Sequence, residues 1–189
     1  PYGSSKLMSE QMIRDLSKAT PLKHVILRYF NVAGSDPEGQ IGQSTKNATL
    51  LIKVAAEVAV GKREKLLVFG TDYPTKDGTG IRDYIHVSDL AAAHIDALDY
   101  LENNGESTTL NCGYGHGYSV KEVIDAINKE NGSPIMVEEM PRRAGDPAEL
   151  VSIAKKVRQT LGWKPQYDDL NLIVKTSLDW EKKILTNKP

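Results

Sequence analysis

The stretch KLLVFGTDYPTKDGTGIRDYIHVSDLAAAH, residues 65–94, contains the alternation that decides the fold class. The opening KLLVFG is a short apolar run that predicts a buried strand, and the turn-forming residues of 70–80 predict a loop. The following RDYIHV (82–87) is again extended, and Ser88 is placed to cap a helix that runs to about residue 102. Strand, loop, strand and helix in direct succession are typical of an α/β protein.

The same alternation continues in both directions along the chain. Some segments carry apolar residues at helical spacing, and others are short runs of β-branched and aromatic residues. The pattern Ser119-x-x-Glu122 is a capping box that opens a helix. The predicted strands outside the opening stretch are 24–30, 108–113 and 135–140; the predicted helices are 5–18, 47–60, one from Ser119 onward, 154–161 and 169–185; the predicted loops are 31–43 and 141–149.

The composition excludes several classes of function. Of the 189 residues, 24 are basic and 25 acidic, so no overall field attracts nucleic acid or an anionic membrane. The one cysteine, Cys112, cannot form an internal disulfide, which fits a reducing compartment. No apolar run approaches the roughly 18 residues of a membrane span. We therefore expect a cytoplasmic protein that binds neither nucleic acid nor membrane.

The pair Tyr2 and Lys6 is a candidate catalytic group. Residues four apart lie on the same face of a helix. A phenol ionises at about pH 10 and is a poor base at neutral pH, but a neighbouring ammonium favours the phenolate. A chain with eight tyrosines and many lysines contains such a pair by chance, so the spacing alone does not establish a site.

The segment Gly113-Tyr-Gly115-His-Gly117 is similar to a dinucleotide-binding loop, because it follows a predicted strand and precedes a predicted helix. The fingerprint requires glycine at position 118, where this chain has Tyr118. A tight turn that feeds a capped helix explains the pattern better. No other stretch offers a glycine loop that could hold phosphates.

Two arginine-containing segments leave alternatives open. Arg82 lies in an extended stretch and is either part of a partly buried ion pair or a group that binds a phosphate. The segment Arg142-Arg143-x-Gly-Asp146 is either a solvated loop or an anion clamp. The four histidines do not have the spacing of metal ligands, so no metal site is predicted.

Four segments in the same order resemble the UDP-glucose 4-epimerase (UDP-galactose 4-epimerase) family, a branch of the extended short-chain dehydrogenases/reductases. They are Pro1-Tyr2-Gly3-x-Ser5-Lys6, LRYFNVAG (27–34), FGTDYPTKDGTGIRDYIHVSDLAAAH (69–94) and PRRAGDPAE (141–149). The resemblance covers essentially the whole chain. It implies an isomerase of galactose metabolism that interconverts UDP-glucose and UDP-galactose through a 4-keto intermediate, with NAD as the cofactor.

The resemblance also assigns roles to residues. Tyr2 would be the base, and Lys6 would hold the nicotinamide ribose and favour the phenolate. Tyr29 and Phe30 would line both cofactor and substrate. The other substrate-binding positions would be Asn31; Leu50 at the diphosphate, where the family usually has asparagine or histidine; Leu67, Val68 and Phe69 beside the uracil; Arg82 and Arg143 on the diphosphate, with Tyr84 beside Arg82; Asp146 on a ribose hydroxyl; and Leu150 at the sugar pocket, where tyrosine or a smaller residue is common.

The implied fold is the C-terminal part of a doubly wound Rossmann-type sheet plus a smaller α/β substrate-binding lobe. Residues 1–30 would end the NAD-binding domain with the catalytic helix and the strand after it. Residues 31–189 would be mainly the UDP-sugar lobe, with some segments returning to the sheet. Family members carry a glycine-rich NAD-binding half, with a catalytic serine or threonine, before this Pro-Tyr-Gly. We therefore expect a homodimer when that half is present, and no activity from this chain alone.

Alternatives remain for the substrate and for the class of function. The substrate could instead be UDP-N-acetylglucosamine or a UDP-pentose. A hypothesis of another class is a non-catalytic remnant that binds nucleotide sugars. A glycine-rich strand–helix unit in the upstream reading frame would favour the enzyme, and its absence would favour the remnant.

Overall fold

The computed structural model describes residues 1–186. Within that range the helices are α1 (Tyr2–Ala19), α2 (Leu51–Ala59), α3 (Val87–Glu102), α4 (Val120–Asn131), α5 (Lys155–Leu161) and α6 (Leu170–Thr186). The strands are β1 (Val25–Arg28), β2 (Asn31–Ala33), β3 (Leu66–Phe69), β4 (Ile81–Arg82), β5 (Tyr84–His86), β6 (Thr108–Asn111), β7 (Tyr118–Ser119), β8 (Val137–Met140) and β9 (Glu149–Leu150). None of these helices is long and apolar enough to cross a membrane.

Parallel pairing dominates the sheets. Strands β1 and β6, β2 and β5, and β3 and β8 form three parallel pairs. Strand β4 pairs in parallel with β9 and antiparallel with β7. Parallel strands joined through helices are the defining feature of α/β proteins, so the predicted α/β class is confirmed.

Two segments that were predicted to be loops each contain a strand. Residues 31–43 begin with β2, and residues 141–149 end in β9. Both strands are only two or three residues long, and both are fixed by pairing with the RDY segment rather than by local preference: Asn31 pairs with Tyr84, and Leu150 with Arg82. Pairing with a distant segment overrides local turn chemistry.

The interior is formed where α2, α4 and α6 pack against one another. Ile52 of α2, Ile127 of α4 and Ile173 of α6 are almost completely buried. Trp163, which follows α5, is also buried, and its indole nitrogen donates to the Asp89 backbone oxygen at 3.0 Å. The core therefore lies in the part of the chain after residue 50.

The starts of α4 and α3 show how local chemistry sets helix ends. The capping box at Ser119 is confirmed, because Ser119 and Glu122 exchange side-chain and backbone hydrogen bonds. The predicted cap at Ser88 is wrong. The N-cap of α3 is His86, whose Nδ1 accepts a hydrogen bond from the Ser88 backbone N–H at 3.1 Å. Burial lowers the pKa of His86, which favours the neutral ring that this acceptor role requires.

Helix α1 differs from the other helices because, within residues 1–186, it has no buried residue. A carboxylate holds it to β1. Arg28 Nε and Nη2 donate to the two Glu10 oxygens at 2.6 and 2.5 Å, and Arg14 Nη2 donates to Glu10 at 2.7 Å. These hydrogen bonds, that from Arg28 above all, hold the pKa of Glu10 below its usual value. The helix is therefore held by polar contacts rather than by packing.

Candidate functional site

A cleft of about 680 Å³ opens where β3 ends, beside the start of α2 and the RDY segment. It brings together side chains that are up to 115 positions apart in the chain, because parallel strands end at the same edge of a sheet. Nine sequence-predicted substrate residues line it: Asn31, Leu50, Leu67, Val68, Phe69, Arg82, Tyr84, Arg143 and Asp146.

Arg82 is held at the cleft by its neighbours. Its Nη2 forms an ion pair with Asp146 Oδ1 at 2.5 Å, and its Nη1 donates to the Ile81 backbone oxygen at 2.7 Å. Only 14% of its side chain is exposed. Two of its donors are therefore fixed, and the guanidinium lines the cleft with further N–H groups.

Arg143 enters the cleft from a separate direction. Strands β3 and β8 run parallel and end together at Phe69 and Met140, so the loop after β8 starts beside the floor of the cleft. The Arg143 guanidinium carbon lies 3.8 Å from the centre of the Phe69 ring, a cation–π contact. Among residues 1–186 it forms no ion pair, so its N–H groups are available to an anion that enters the cleft.

Tyr84 and Asp83 point in opposite directions from adjacent positions. Tyr84 is buried in the wall of the cleft, and burial raises the pKa of its phenol well above its usual range, so the hydroxyl stays protonated. Asp83 faces the interior, where Oδ1 accepts from the Tyr114 N–H at 3.1 Å. Asp83 Oδ2 accepts from the Gly115 and Ser152 N–H groups at 3.1 Å and from the Ser152 hydroxyl at 2.6 Å. This carboxylate is a polar anchor directly beneath the cleft.

The apolar wall consists of residues that alternate along β3 and of the residue before α2. Leu67 is partly exposed on the cleft side, whereas Leu66 and Val68 are buried. Leu50 is 39% exposed at the mouth. Together they place apolar side chains beside the two arginines, so the cleft combines hydrophobic surface with cationic donors.

Five predicted site residues lie outside the lining of this cleft: Tyr2, Lys6, Tyr29, Phe30 and Leu150. Tyr2 and Lys6 are together on the first turns of α1, with the Lys6 nitrogen 5.4 Å from the centre of the Tyr2 ring, and Tyr2 is 75% exposed.

Tyr29 and Phe30 lie between β1 and β2. They therefore connect β1, which contacts α1, to Asn31 in the cleft. Tyr29 is half-exposed and its ring meets His94 edge-on at 6.4 Å. Leu150 is exposed on β9, directly opposite Arg82.

Packing requires glycine at 113 and 117, and the tight turn that the sequence indicated requires it at 115, where φ is +89°. A Cβ at Gly113 would lie 2.5 Å from Ser152 Oγ and 2.6 Å from Asp83 Oδ2. A Cβ at Gly117 would lie 2.6 Å from Ile81 Cγ2. These glycines allow the chain to pass close to the Asp83 anchor.

Sequence reasoning assigned no individual role to three residues near the cleft: Tyr73, Arg142 and Asp83. Tyr73 lines the cleft and Arg142 stacks on it. Period-two alternation within RDY could have placed Asp83 on the inner face, since Arg82 and Tyr84 were assigned to the ligand. No set of three or more His, Cys, Asp or Glu side chains within residues 1–186 is arranged to hold a metal ion.

Comparison with known proteins gives a family and several close relatives. The family model described as GDP-mannose 4,6 dehydratase matches residues 1–176. A UDP-glucose 4-epimerase of Azospirillum brasilense is 53% identical over 184 residues, which cover 97% of this chain and 53% of that protein. The chain thus spans about half the length of the curated relatives that it matches.

Two solved structures are similar throughout. A UDP-Glc/GlcNAc 4-epimerase from Campylobacter jejuni is 60% identical with a TM-score of 0.79, over 97% of this chain and 56% of that one. A UDP-glucose 4-epimerase from Bifidobacterium longum, in complex with NAD+ and UDP, is 42% identical with a TM-score of 0.91, over 100% of this chain and 56% of that one.

Proposed function

This chain belongs to the GDP-mannose 4,6 dehydratase family, and from that premise we propose that it is the C-terminal portion of an NAD-dependent UDP-glucose 4-epimerase. The observation that carries the proposal is the cleft: nine residues that the resemblance assigns to the UDP-sugar line one cavity. The Azospirillum relative, which is named as this epimerase, supports the same conclusion.

The cleft has the chemistry to hold UDP. Arg82 and Arg143 offer planar groups of donors to the diphosphate, for which guanidinium is well suited. Leu67 and Phe69 offer apolar surface to the uracil, and Asp146 can accept a hydrogen bond from a ribose hydroxyl while it orients Arg82. Leu50 contributes contact but no hydrogen bond to the diphosphate. We propose that the nucleotide is held tightly and the sugar loosely, so that the sugar can turn over.

The residues outside the cleft fit one end of NAD. Tyr2 and Lys6 are exposed on one face of α1, and the Lys6 ammonium has no ion pair among residues 1–186, so it can donate to a ribose diol. Tyr29 and Phe30 are placed between this face and Asn31 of the cleft. When bound, NAD+ supplies a hydride acceptor that later returns the hydride. The glycine turn at 113–117 is filled by packing and does not fit the pyrophosphate.

The proposed chemistry at the sugar rests on Tyr2. As the phenolate, Tyr2 accepts the proton of the 4-hydroxyl while C4 is oxidised to a ketone. It gives that proton back when the ketone, after the sugar has turned, is reduced on its opposite face. Lys6 lies one helical turn away, with its ammonium 5.4 Å from the centre of the Tyr2 ring.

We also propose the arrangement of the whole protein. Residues 1–30 belong to an NAD-binding domain and residues 31–189 mainly to a UDP-sugar lobe. The apolar side chains exposed on α1, Leu7, Met8 and Met12 among them, are then covered by the NAD-binding half and by a second subunit. The compartment is the cytoplasm, consistent with the single, buried Cys112.

The test compares the 189-residue chain with the complete protein encoded by its reading frame. We expect the complete protein to convert UDP-galactose to UDP-glucose and to retain NAD. The shorter chain should bind UDP without turnover, because Tyr2 then lacks the cofactor. A complete protein that binds UDP but converts neither sugar would support the non-catalytic alternative, and turnover by the 189-residue chain would contradict its assignment as a portion.

A second substrate is favoured by the Campylobacter structure, whose name includes the N-acetylated sugar and which is 60% identical. Leu150 is exposed opposite Arg82 and is smaller than tyrosine, so an acetamido group at the sugar's 2-position can fit there. Leu150→Tyr should overfill this space at a cost of about 1–3 kcal/mol for the N-acetylated substrate and largely spare UDP-galactose. The measurement is kcat/KM for both substrates, and an unchanged ratio would show that Leu150 does not control specificity.

A further inference from the structure

Two arginine–aromatic pairs lie side by side at the edge of the cleft. Arg143 stacks on Phe69 with 3.8 Å between the guanidinium carbon and the ring centre. Arg142 stacks on Tyr73 at 4.3 Å. Arg143 lines the cleft and Arg142 does not. The adjacent arginines therefore have different surroundings.

The loop that carries both arginines needs side-chain contacts to hold its shape. None of residues 141–147 is buried within the described part of the chain, so core packing does not fix them. The contacts present are Arg143 with Phe69, Asp146 with Arg82, and Arg142 with the loop after β3. The first two involve groups that must also meet a ligand. Arg142 is the contact that is independent of the ligand.

Arg142 contacts the β3 loop with two of its three guanidinium nitrogens and with one face. Its Nε donates to Asp72 Oδ1 at 2.6 Å, its Nη2 donates to the Asp72 backbone oxygen, and its face covers Tyr73. Because a guanidinium is planar and forked, these three contacts fix its orientation as well as its position. The backbone of Arg143 follows directly and shares this restraint.

The chain makes room for this stack at Gly70. Gly70 has φ +82°, and a Cβ there would lie 2.6 Å from Tyr73 Cε2 and 2.7 Å from Arg142 Cγ. Its N–H donates to the Met140 oxygen at 2.9 Å, so the two loops leave the paired ends of β3 and β8 in contact. A side chain at position 70 would displace either the ring or the arginine.

The ring of Tyr73, rather than its hydroxyl, supports the stack. Tyr73 is 6% exposed, and its hydroxyl is buried with no hydrogen-bond partner among residues 1–186. Removing that hydroxyl costs no hydrogen bond, whereas removing the ring deletes the surface on which Arg142 lies. Tyr73→Phe is therefore a matched control for Tyr73→Leu.

We infer that Arg142 is a positioning residue for UDP: stacked on Tyr73 and bound to Asp72, it fixes the backbone that presents Arg143 to the diphosphate. The inference rests on the proposed function. A side chain that is already held in its binding geometry loses less freedom when the ligand arrives, so the affinity for the diphosphate rises. The uracil and ribose should not sense Arg142, because Leu67 and Phe69 lie on β3 and Asp146 is held by its own ion pair with Arg82.

The test measures UDP and uridine affinity by calorimetry, and KM and kcat with UDP-galactose, in the complete protein. Arg142→Ala should weaken UDP about tenfold, the lower end of the roughly 10- to 100-fold that a charge-assisted contact contributes. Uridine affinity and kcat should stay within twofold, while KM rises by a factor similar to that for UDP. Arg142→Lys, which keeps the charge but not the fork, and Tyr73→Leu should follow Arg142→Ala, and Tyr73→Phe should equal the parent.

A double-mutant cycle separates positioning from simple charge. If Arg142 acts through Arg143, the Arg142→Ala/Arg143→Ala variant should bind UDP no more weakly than Arg143→Ala. Lys76→Ala, on the same β3 loop, removes an equal charge without the stack and should leave UDP affinity unchanged. The inference would be overturned if the losses of UDP affinity in the two single variants added up in the double variant. It would also be overturned if Arg142→Ala weakened uridine as much as UDP, or if its UDP affinity stayed within twofold of the parent's. A parent protein that fails to bind UDP would overturn the proposed function and this inference with it.

Discussion

The cleft and helix α1 are built in opposite ways. The cleft lies above a buried carboxylate, Asp83, which accepts four hydrogen bonds, and its apolar wall continues into the core. Helix α1 has no buried residue in the described part of the chain, and a partly buried carboxylate, Glu10, holds it to its neighbours. One region is fixed by packing and satisfied buried polar groups, the other by ion pairs centred on Glu10.

This difference indicates how the proposed enzyme divides its tasks. The groups that would bind UDP are preformed within this chain, whereas the candidate base sits on a helix that offers its apolar residues to further contacts. Binding and chemistry are therefore separable, and variants can affect one without the other.

The largest expected effect is on chemistry alone. In the complete protein, Tyr2→Phe removes the phenol oxygen, and the 75% exposed ring loses no packing. We expect kcat to fall by about 10²- to 10⁴-fold, the range for a general base, with UDP affinity unchanged. Steady-state kinetics and UDP titration measure the two effects. Tyr100→Phe on α3 is the control, and a Tyr2→Phe enzyme within a few-fold of the parent would mean that Tyr2 is not the base.

The next largest expected effect is on the stability of the fold beneath the cleft. Asp83→Ala leaves the buried N–H groups of Tyr114 and Ser152, and that of Gly115, without their acceptor, so the free energy of unfolding should fall by about 3–5 kcal/mol. Urea unfolding of the 189-residue chain measures this loss. The exposed Asp125→Ala on α4 should change stability by less than about 0.5 kcal/mol. Equal stability of the two variants would refute the role of Asp83 as an anchor.

A smaller effect concerns binding alone. Arg82→Ala should weaken UDP by roughly 1.5–3 kcal/mol, the scale of a charge-assisted hydrogen bond, with kcat little changed. Arg82→Lys keeps the charge but loses the forked contact with Asp146 and should fall between the two proteins. Calorimetric titration with UDP is the measurement. A large fall in kcat with unchanged UDP affinity would reverse the assignment of roles between Arg82 and Tyr2.

The smallest effect is a pH-dependent loosening of α1. Hydrogen bonds from Arg28 lower the pKa of Glu10 in the folded protein below its ordinary value of 4.5. A lowered folded pKa adds stability above the unfolded value, and that stability is lost as the pH falls through the folded pKa. Hydrogen exchange, corrected for intrinsic rates, should therefore show α1 opening more at about pH 3.5 than at pH 6, with α4 unchanged. In Glu10→Gln this difference between pH values should disappear.

An element of the fold can be predicted from the sequence when residues close together in the chain determine it, and not when residues far apart in the chain do. Strands 25–28 and 66–69 follow from local apolar runs, and the capping box at Ser119 follows from four adjacent residues. Strands β2 and β9 could not be found in the same way, because distant pairing with Tyr84 and Arg82 creates them. The cap at His86 was missed because the chain enters α3 directly from β5.

The same distinction between local and distant interactions applies to the candidate site. The resemblance supplied its residues, including Arg82 and Arg143, because they lie in recognisable segments. It did not supply the stack of Arg142 on Tyr73, which depends on the meeting of two loops some 70 residues apart in the chain. Arg142 and Arg143 have the same side chain and are adjacent in the sequence. Only their surroundings in the structure distinguish the roles that we propose for them.

The position of Asp83 between Arg82 and Tyr84 limits where this protein can gain or lose residues. The Asp83 N–H donates to the Leu150 oxygen at 3.2 Å, and its own oxygen accepts from the Asn31 N–H at 3.2 Å, so the residue joins two sheets. A single insertion or deletion there would turn the anchor toward solvent and a ligand-facing side chain toward the core. Length variation among natural homologues, and any engineered insertion of a tag or sensor, should therefore be accommodated before Ile81, at the exposed tip near residues 74–76, and not within the RDY triplet.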